Sequence, residues 1–347
     1  MRKIVWVLLL YSSFLKAQNH SVNWLFGYQA GLTFTTSPPS VINGNTIGSN
    51  EGGSSYSDIN GNLLFYSNGE RVNNRFHQIM INGSGLSGSP YSSQAVLILP
   101  APGSSNLYYI ITTPYYFQGG PLTFSIVDMN LDGGRGGVTT KNDTLLQRSS
   151  EKLTVLRHSN GTDYWIVAHG DSNDFYSFLC TSSGINHVPI ISYEGKAITK
   201  SIHKKGALKV SVCGDKIAMT NFNISDTTWL ELFDFDNTSG LVSNAIELDA
   251  RIPHDYGFRG VEFSPDGSKL YASVSGPGLI LQFDLLAGSS ADIIASVDTV
   301  ASTFNTLIGA LQLGPDNKIY LAISGDTALD CISDPDQPGV LCNYRQD

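Results

Sequence analysis

The chain has 347 residues, of which 41% are hydrophobic and 15% are charged, and it carries a net charge of −9. An acidic chain without a basic cluster is unsuited to bind nucleic acid or an anionic membrane surface, because both partners require clustered Lys and Arg. The many Gly (35), Pro (14), Tyr (16) and Phe (16) residues fit short strands joined by tight turns, so the composition favours an all-β fold.

The chain begins with a predicted secretory signal peptide over residues 1–18. Arg2 and Lys3 precede the apolar run at 4–10, which extends to a small residue, Ala17, near a plausible cleavage point. The run is too short for a membrane span, and no later stretch approaches ~20 uninterrupted apolar residues. We therefore expect residues 19–347 to be exported, as one domain at or outside the cell surface, without a transmembrane segment.

One pattern then recurs about every 50 residues: an alternating apolar strand, a turn rich in Pro, Asn, Asp and Gly, and a second strand rich in Tyr, Ile, Leu and Val. A strand or strand pair at 23–34 precedes the repeats. Weaker copies centre on Tyr56, Ile98, Val155 and Val210, and the clearest copies lie at 260–271 and 310–320. A four-stranded unit cannot bury both of its faces alone, so such repeats stack around an axis. The sequence therefore predicts a β-propeller.

The length of the chain predicts seven blades, each a four-stranded antiparallel sheet, with six clear repeats. Propellers normally close by pairing strands from both chain ends in one blade, which removes a free sheet edge. Little chain follows Tyr320, so we expect the last blade to be completed by the strand at 23–34. It stays incomplete if the chain is a C-terminally truncated piece of a longer protein.

Several stretches resemble one family jointly, although none is specific alone. They lie at 23–32, 58–66, 124–130, 231–236 and 309–316. Over most of the mature chain, they are similar to the N-terminal propeller of large secreted Bacteroidetes proteins of the gliding-motility-associated or type IX secretion cargo type. The resemblance implies location at the cell surface and a binding function. Family members continue beyond the Cys-Asn-Tyr at 342–344 into a closing strand and sorting domains, whereas this chain stops at Asp347.

Four polar residues are candidate binding residues at the mouth of the central channel. Glu51, Gln94, Glu151 and Arg259 lie just before first strands of repeats. Residues at these positions approach the propeller axis, where they could bind a ligand or a metal. The favoured alternative is that they are solvated residues with a hydrogen-bonding role.

A loop with adjacent aromatic residues is the second candidate binding feature. Tyr115, Tyr116 and Phe117 interrupt the second repeat, within the loop at 114–121. Exposed aromatic side chains on a loop commonly contact sugars or proteins. Packing of this loop against the next blade is an equal alternative.

Two further motifs concern cross-linking and metal binding. Cys331 and Cys342 bracket a Pro-rich turn, and in an exported protein they could form a disulfide or remain free thiols. Residues 128–133 imitate the start of a calcium-binding loop, but Thr139 stands where a bidentate Glu is needed, so an ordinary turn is favoured. We therefore predict no cofactor, with calcium as the alternative.

These observations favour a non-catalytic binding or adhesion scaffold that contacts protein or polysaccharide at the cell surface. One alternative is a lactonase-like or lyase-like enzyme, which needs several carboxylates or His residues near the axis. Here Glu51 and Glu151 are the only acids expected there. The other alternative is a carbohydrate-binding propeller, which predicts the same aromatic residue in every blade, and the sequence lacks that regularity.

Overall fold

The computed structural model describes residues 19–222, 227–248, 256–303 and 307–346. The predicted signal peptide, residues 1–18, lies outside these ranges. The described residues form mainly β-strands, as the composition predicts. Their single α-helix, α1, spans Ser290–Ala295, and four short 3-10 helices span Asn19–Ser21, Asp132–Gly134, Ser201–Lys204 and Gly339–Cys342. None of the helices in this part of the chain has the length and apolar character of a membrane span.

The strands follow one another along the chain in sheets. A three-stranded N-terminal sheet contains β1 (Asn23–Phe26), β2 (Ala30–Thr33) and β3 (Ser40–Val41). An eight-stranded sheet contains β4 (Ser54–Ser57), β5 (Leu63–Ser67), β6 (Arg71–Asn74), β7 (Ile79–Ser84), β8 (Val96–Pro100), β9 (Leu107–Thr112), β10 (Leu122–Asp128) and β11 (Gly137–Leu146). A five-stranded sheet contains β12 (Leu153–Arg157), β13 (Tyr164–His169), β14 (Asp174–Thr181), β15 (Gly184–Ile185) and β16 (Ile190–Tyr193).

Three four-stranded sheets complete the fold. The first contains β17 (Leu208–Val210), β18 (Lys216–Asn221), β19 (Trp229–Asp236) and β20 (Leu241–Glu247). The second contains β21 (Gly257–Phe263), β22 (Lys269–Ser275), β23 (Leu279–Asp284) and β24 (Asp298–Ser302). The last sheet contains β25 (Ile308–Leu313), β26 (Ile319–Ile323), β27 (Leu329–Ile332) and β28 (Tyr344–Arg345).

The strands that begin the repeats lie at the centre of the molecule, as the propeller prediction requires. β4, β8, β12, β17, β21 and β25 neighbour one another in this order. We call them the inner strands, and we call the face of the propeller at which they begin the upper face. The turn that joins β21 to β22 is the predicted Pro-Asp-Gly turn, in which Gly267 has a φ of +73° that a residue with a Cβ rarely adopts. The all-β propeller is therefore confirmed.

The number of blades differs from the prediction. Within the described residues, five sheets have four or more strands, so the structure has five blades rather than seven. The eight-stranded sheet runs from β4 at the axis out to β7, and returns from β11 to β8. β7 and β11 pair in parallel through Ile81 and Gly137, and the Asn82 side chain donates a 2.9 Å hydrogen bond to the Val138 carbonyl. This joint at the outer rim merges two expected blades into one sheet.

The closure of the ring also differs from the prediction. β1 pairs with β2, and the last sheet is completed by β28, so the strand at 23–34 does not hydrogen-bond into that sheet. The N-terminal sheet instead contacts the last sheet through aromatic rings. The Tyr320 ring lies 5.6 Å from the Trp24 ring and 5.5 Å from the Phe34 ring, measured between centroids. Side-chain packing therefore replaces the expected strand pairing.

Most of the hydrophobic cores lie between two adjacent sheets. In one of them, Phe175 of β14 and Phe233 of β19 pack with ring centroids 4.9 Å apart, and both are buried. Comparable clusters separate other neighbouring sheets, and a further cluster lies between the two halves of the eight-stranded sheet. Each sheet thus covers the apolar face of the next one, which is the reason that the repeats fold only as a stack.

The disulfide considered for Cys331 and Cys342 does not form in the structure. Successive side chains of a strand point to opposite faces. Ile332 of β27 packs in the same buried cluster as Cys342, so the preceding Cys331 points to the other face. There the Cys331 Sγ lies 3.9 Å from the Ser333 Oγ. The alternation of the strand therefore separates the two sulfur atoms.

We predict that Phe34→Ala lowers the free energy of unfolding by about 2 kcal/mol, because it removes two aromatic contacts at the N-terminal sheet. Phe117→Ala is the matched control. Its side chain is 76% exposed, so the change should stay within about 0.5 kcal/mol. Urea unfolding of both variants measures the difference. Equal stability of the two variants would show that the aromatic joint does not hold the ring together.

Candidate functional site

Two of the four candidate channel residues, Glu51 and Arg259, come together in one cluster around the Glu51 carboxylate. Lys205 Nζ lies 2.5 Å and Arg259 Nη2 lies 3.2 Å from Glu51 Oε1. The Ser93 hydroxyl donates a 3.1 Å hydrogen bond to Glu51 Oε2. We call Glu51, Ser93, Lys205 and Arg259 the Glu51 cluster. Its members come from loops before three inner strands and from β21 itself, so the cluster links three sheets at the upper face.

Both cations of the Glu51 cluster also lie over aromatic rings. Lys205 Nζ is 5.3 Å and the Arg259 guanidinium carbon is 5.0 Å from the centroid of the buried Phe222 ring. Lys205 Nζ is also 5.8 Å from the Tyr116 ring. The negative faces of these rings stabilise a cation without neutralising it. Both cations are therefore held in place by aromatic rings as well as by the Glu51 carboxylate.

Glu151 is fully buried beside the Glu51 cluster. Its carboxylate accepts hydrogen bonds from the backbone N–H groups of Ser93 at 2.7 Å and Tyr116 at 2.8 Å. Burial raises the pKa of Glu151, and the nearby Glu51 charge adds to this effect, whereas the two backbone donors oppose it. The hydrogen bond to Tyr116 fixes the base of the predicted aromatic loop. Glu151 thus positions that loop and is itself closed to solvent.

The aromatic loop forms a continuous row of rings together with one residue that the sequence analysis missed. Centroid distances are 6.0 Å from Tyr91 to Tyr115, 4.7 Å from Tyr115 to Tyr116 and 6.3 Å from Tyr116 to Phe117. We call these four residues the aromatic ladder. Phe117 is 76% exposed and Tyr91 is 51% exposed. Tyr91 precedes β8, so only the folded structure brings it to the other three rings.

Gln94 connects inner strands, because both polar atoms of its side chain bond to backbone groups. Its Oε1 atom accepts hydrogen bonds from the backbone N–H groups of Leu153 at 2.9 Å and Leu208 at 2.8 Å. Its Nε2 atom donates a 2.9 Å hydrogen bond to the Leu208 carbonyl. The side chain therefore joins β8 to the first residues of β12 and β17. This is the hydrogen-bonding role that the sequence analysis favoured.

A second polar connection lies further along the inner strands and was not predicted. Lys209 Nζ is 2.8 Å from Glu262 Oε2 and donates a 2.7 Å hydrogen bond to Gln312 Oε1. Glu262 Oε2 also accepts a 3.0 Å hydrogen bond from the Leu313 backbone N–H. These contacts join β17, β21 and β25. Their residues alternate with apolar ones along each strand, so the sequence gives no sign that they meet.

Two buried ionisable groups have strongly shifted pKa values. Burial lowers the pKa of Lys152 to about 7, and its Nζ donates a 2.6 Å hydrogen bond to the His203 carbonyl. Burial raises the pKa of Glu231 to about 7, although its Oε1 accepts a 2.8 Å hydrogen bond from the Lys196 backbone N–H. Both groups lie inside the protein, so they affect its stability with pH rather than contact a ligand.

The side chains of the calcium-like loop at 128–133 bond to the loop itself and to residues beside it. The Asp128 carboxylate accepts a 2.8 Å hydrogen bond from the Asn130 backbone N–H. Asp132 pairs with Arg135 at 2.7 Å. Across the four described ranges, no group of three or more His, Cys, Asp or Glu side chains is arranged to hold a metal ion.

Comparisons with known proteins extend the description of the fold. No protein-family model and no curated protein sequence matches the chain. A candidate 6-phosphogluconolactonase from Bacteroides uniformis is similar with a TM-score of 0.53 and 12% identity, over 90% of this chain and 89% of that one. Hsv2 from Kluyveromyces lactis gives a TM-score of 0.51 and 9% identity, over 90% of each chain. The Cps50 β-propeller domain from Myceliophteria thermophila gives a TM-score of 0.50 and 8% identity, over 90% of this chain and 95% of that one. At such identities, these likenesses show the propeller fold alone.

We predict that Gln94→Leu lowers the free energy of unfolding by about 4 kcal/mol, because it leaves two backbone N–H groups and one carbonyl without their partner. Gln118→Leu, at an exposed position of the aromatic loop, is the control and should have little effect. Chemical denaturation of both variants measures the loss. A cost below about 1 kcal/mol would mean that solvent can replace Gln94 at the axis.

We predict that Glu231→Gln makes the stability of the protein less sensitive to pH. The pKa of Glu231 is about 7 in the folded chain, against an ordinary value of 4.5, so the folded chain binds more protons between these two pH values. The free energy of unfolding of the wild-type protein therefore falls as the pH rises from 4.5 to about 7. The ionisation of Glu231 alone accounts for a fall on the order of 3 kcal/mol.

The Gln variant lacks this loss, whereas the exposed control Glu70→Gln keeps the wild-type profile. Urea unfolding at a series of pH values gives both profiles. Parallel profiles for wild type and Glu231→Gln would contradict the shifted ionisation of Glu231.

Proposed function

We propose that the protein is an exported, non-catalytic binding module that captures a partner at the cell surface through the upper face of its propeller. The aromatic ladder carries this proposal, because it presents neighbouring exposed rings beside a charged cluster. The family resemblance noted in the sequence supports the location and suggests protein or polysaccharide as the partner.

The ladder has the properties of a binding surface. Its rings are large and rotate about few bonds, so they bury area on binding at a low entropic cost. Its base is fixed by the hydrogen bond from the Tyr116 backbone N–H to Glu151. Phe117 and Tyr91 nevertheless remain exposed, and solvent-exposed rings on a rigid loop favour contact with another molecule.

The two carboxylates near the upper face are already bound by other groups of the protein, which supports a non-catalytic role. The Glu51 carboxylate is bound by two cations and a hydroxyl, and the Glu151 carboxylate is buried and bound by two backbone donors. A general acid or base must reach the proton that it transfers. Neither carboxylate has that freedom in this arrangement.

A lactonase-like or lyase-like enzyme is the second candidate. Lys205 and Arg259 place two positive charges near the axis, where they could stabilise negative charge that develops on a substrate oxygen. Hydrolysis of glucono-δ-lactone, measured against the spontaneous rate, tests this candidate directly. A rate enhancement that disappears in Lys205→Gln would favour it over the binding module.

We predict that Phe117→Ala and Tyr91→Ala each weaken binding to Bacteroidetes cell envelopes at least about tenfold, because each removes a contact ring from the ladder. The assay measures the binding of fluorescently labelled chain to isolated envelopes. Periodate treatment of the envelopes removes binding to polysaccharide, and protease treatment removes binding to protein.

Phe76→Ala is the matched control, because Phe76 is 56% exposed on a different loop. It should bind like the wild type. Absence of wild-type binding, or binding that both ladder variants retain, would contradict the proposed function.

A further inference from the structure

The aromatic ladder and the Glu51 cluster form one continuous surface. Tyr116 belongs to the ladder, and its ring also lies 5.8 Å from Lys205 Nζ of the cluster. Lys205 in turn shares the Glu51 Oε1 atom with Arg259. The surface therefore runs from the exposed Phe117 ring to a pair of cations. A ligand that fits it needs an apolar face at one end and a negative charge at the other.

We infer that this surface binds a sugar residue that carries a carboxylate, of the uronic acid type, with the sugar ring on the ladder and the carboxylate at Arg259. The inference rests on the proposed binding function and specifies its ligand class. Sugar rings present C–H groups on their faces, which pack against aromatic rings. The Tyr hydroxyl groups of the ladder can donate and accept hydrogen bonds with sugar hydroxyl groups.

Arg259 has the capacity to bind a second carboxylate. Its guanidinium carries five N–H donors, and among the described contacts only Nη2 is paired, with Glu51. Its side chain is 23% exposed, whereas that of Lys205 is 12% exposed. Arginine binds carboxylates in a two-point geometry that lysine cannot reproduce. A ligand carboxylate can therefore bind Arg259 without displacing Glu51.

The site is less acidic than the chain as a whole. Lys205 and Arg259 together exceed the charge of Glu51 by one, and ionisation of the buried Glu151 brings the balance to zero. The whole chain carries a net charge of −9, which repels a long polyanion. The site therefore suits an acidic sugar at the end of a largely neutral chain, or sparsely placed within it, rather than a polymer of acidic sugars.

The test compares two trisaccharides that differ in one group. One ends in glucuronic acid, and in the other that carboxylate is reduced to a primary alcohol, which gives glucose. Isothermal titration calorimetry with the full chain should show at least about tenfold tighter binding of the acidic trisaccharide, as expected for one charge-assisted contact. Arg259→Gln should remove this preference without changing the affinity for the neutral trisaccharide. Arg259→Lys should retain part of it.

Two further variants separate the contributions to binding. Phe117→Ala should weaken the binding of both trisaccharides, because it removes a ring rather than a charge. Arg135→Gln, at an Arg that pairs with Asp132 in an exposed turn, should bind both like the wild type. Thermal melting of each variant establishes that the chain is folded. If Arg259→Gln does not fold, Arg259→Lys supplies the comparison.

Each outcome bears on the inference. Equal affinity for the two trisaccharides overturns the acidic sugar and leaves the proposed binding function in place. Binding of a triglutamate peptide that depends on Arg259, without binding of either sugar, overturns the sugar in favour of an acidic protein segment. If no probe binds, the inference fails, and the envelope assay decides the proposed function independently.

Discussion

The structure depends on the hydrogen bonding of the inner strands near the propeller axis. Each inner strand is an edge strand of its sheet, so backbone groups on its free side need partners other than a neighbouring strand. Gln94 supplies these partners to Leu153 and Leu208, and Glu262 supplies one to Leu313. The Gln94 side chain thus joins successive sheets and supplies hydrogen-bond partners to backbone groups of their inner strands. The ring is closed in this part of the molecule by amide and carboxylate groups as well as by apolar packing.

This constraint divides the polar residues at the upper face into two groups. Gln94 and Glu151 bond to the backbone of neighbouring strands and loops, so their role is to hold the ring together. The Arg259 guanidinium is paired with Glu51 through Nη2, and its other N–H groups remain available as hydrogen-bond donors. Because Glu151 also fixes the loop that carries Tyr116 and Phe117, the same buried carboxylate connects the stability of the ring with the position of the exposed rings.

Much of the fold was predictable from the sequence, because the alternation of apolar residues and the Pro-Asp-Gly turns determine strands and turns through residues that are close in the chain. Glu51, Gln94, Glu151 and Arg259 were selected from their positions close to the starts of first strands, although Arg259 lies within β21, and their role in binding stays a prediction. The blade count and the ring closure were wrong because they depend on contacts between distant strand edges. Lys205, Phe222 and Tyr91 were missed for a similar reason, since only the folded ring brings their loops together.

The two ways in which neighbouring sheets are joined give the ring an uneven resistance to force. At the outer rim, β7 and β11 are joined by backbone pairing and side-chain hydrogen bonds, which must break together before that wall can open. The joint between the N-terminal sheet and the last sheet consists of three aromatic rings, which can separate one at a time. A force applied across the propeller therefore meets one joint with paired backbone and one joint of packed aromatic rings, and the direction of the force decides which joint is loaded.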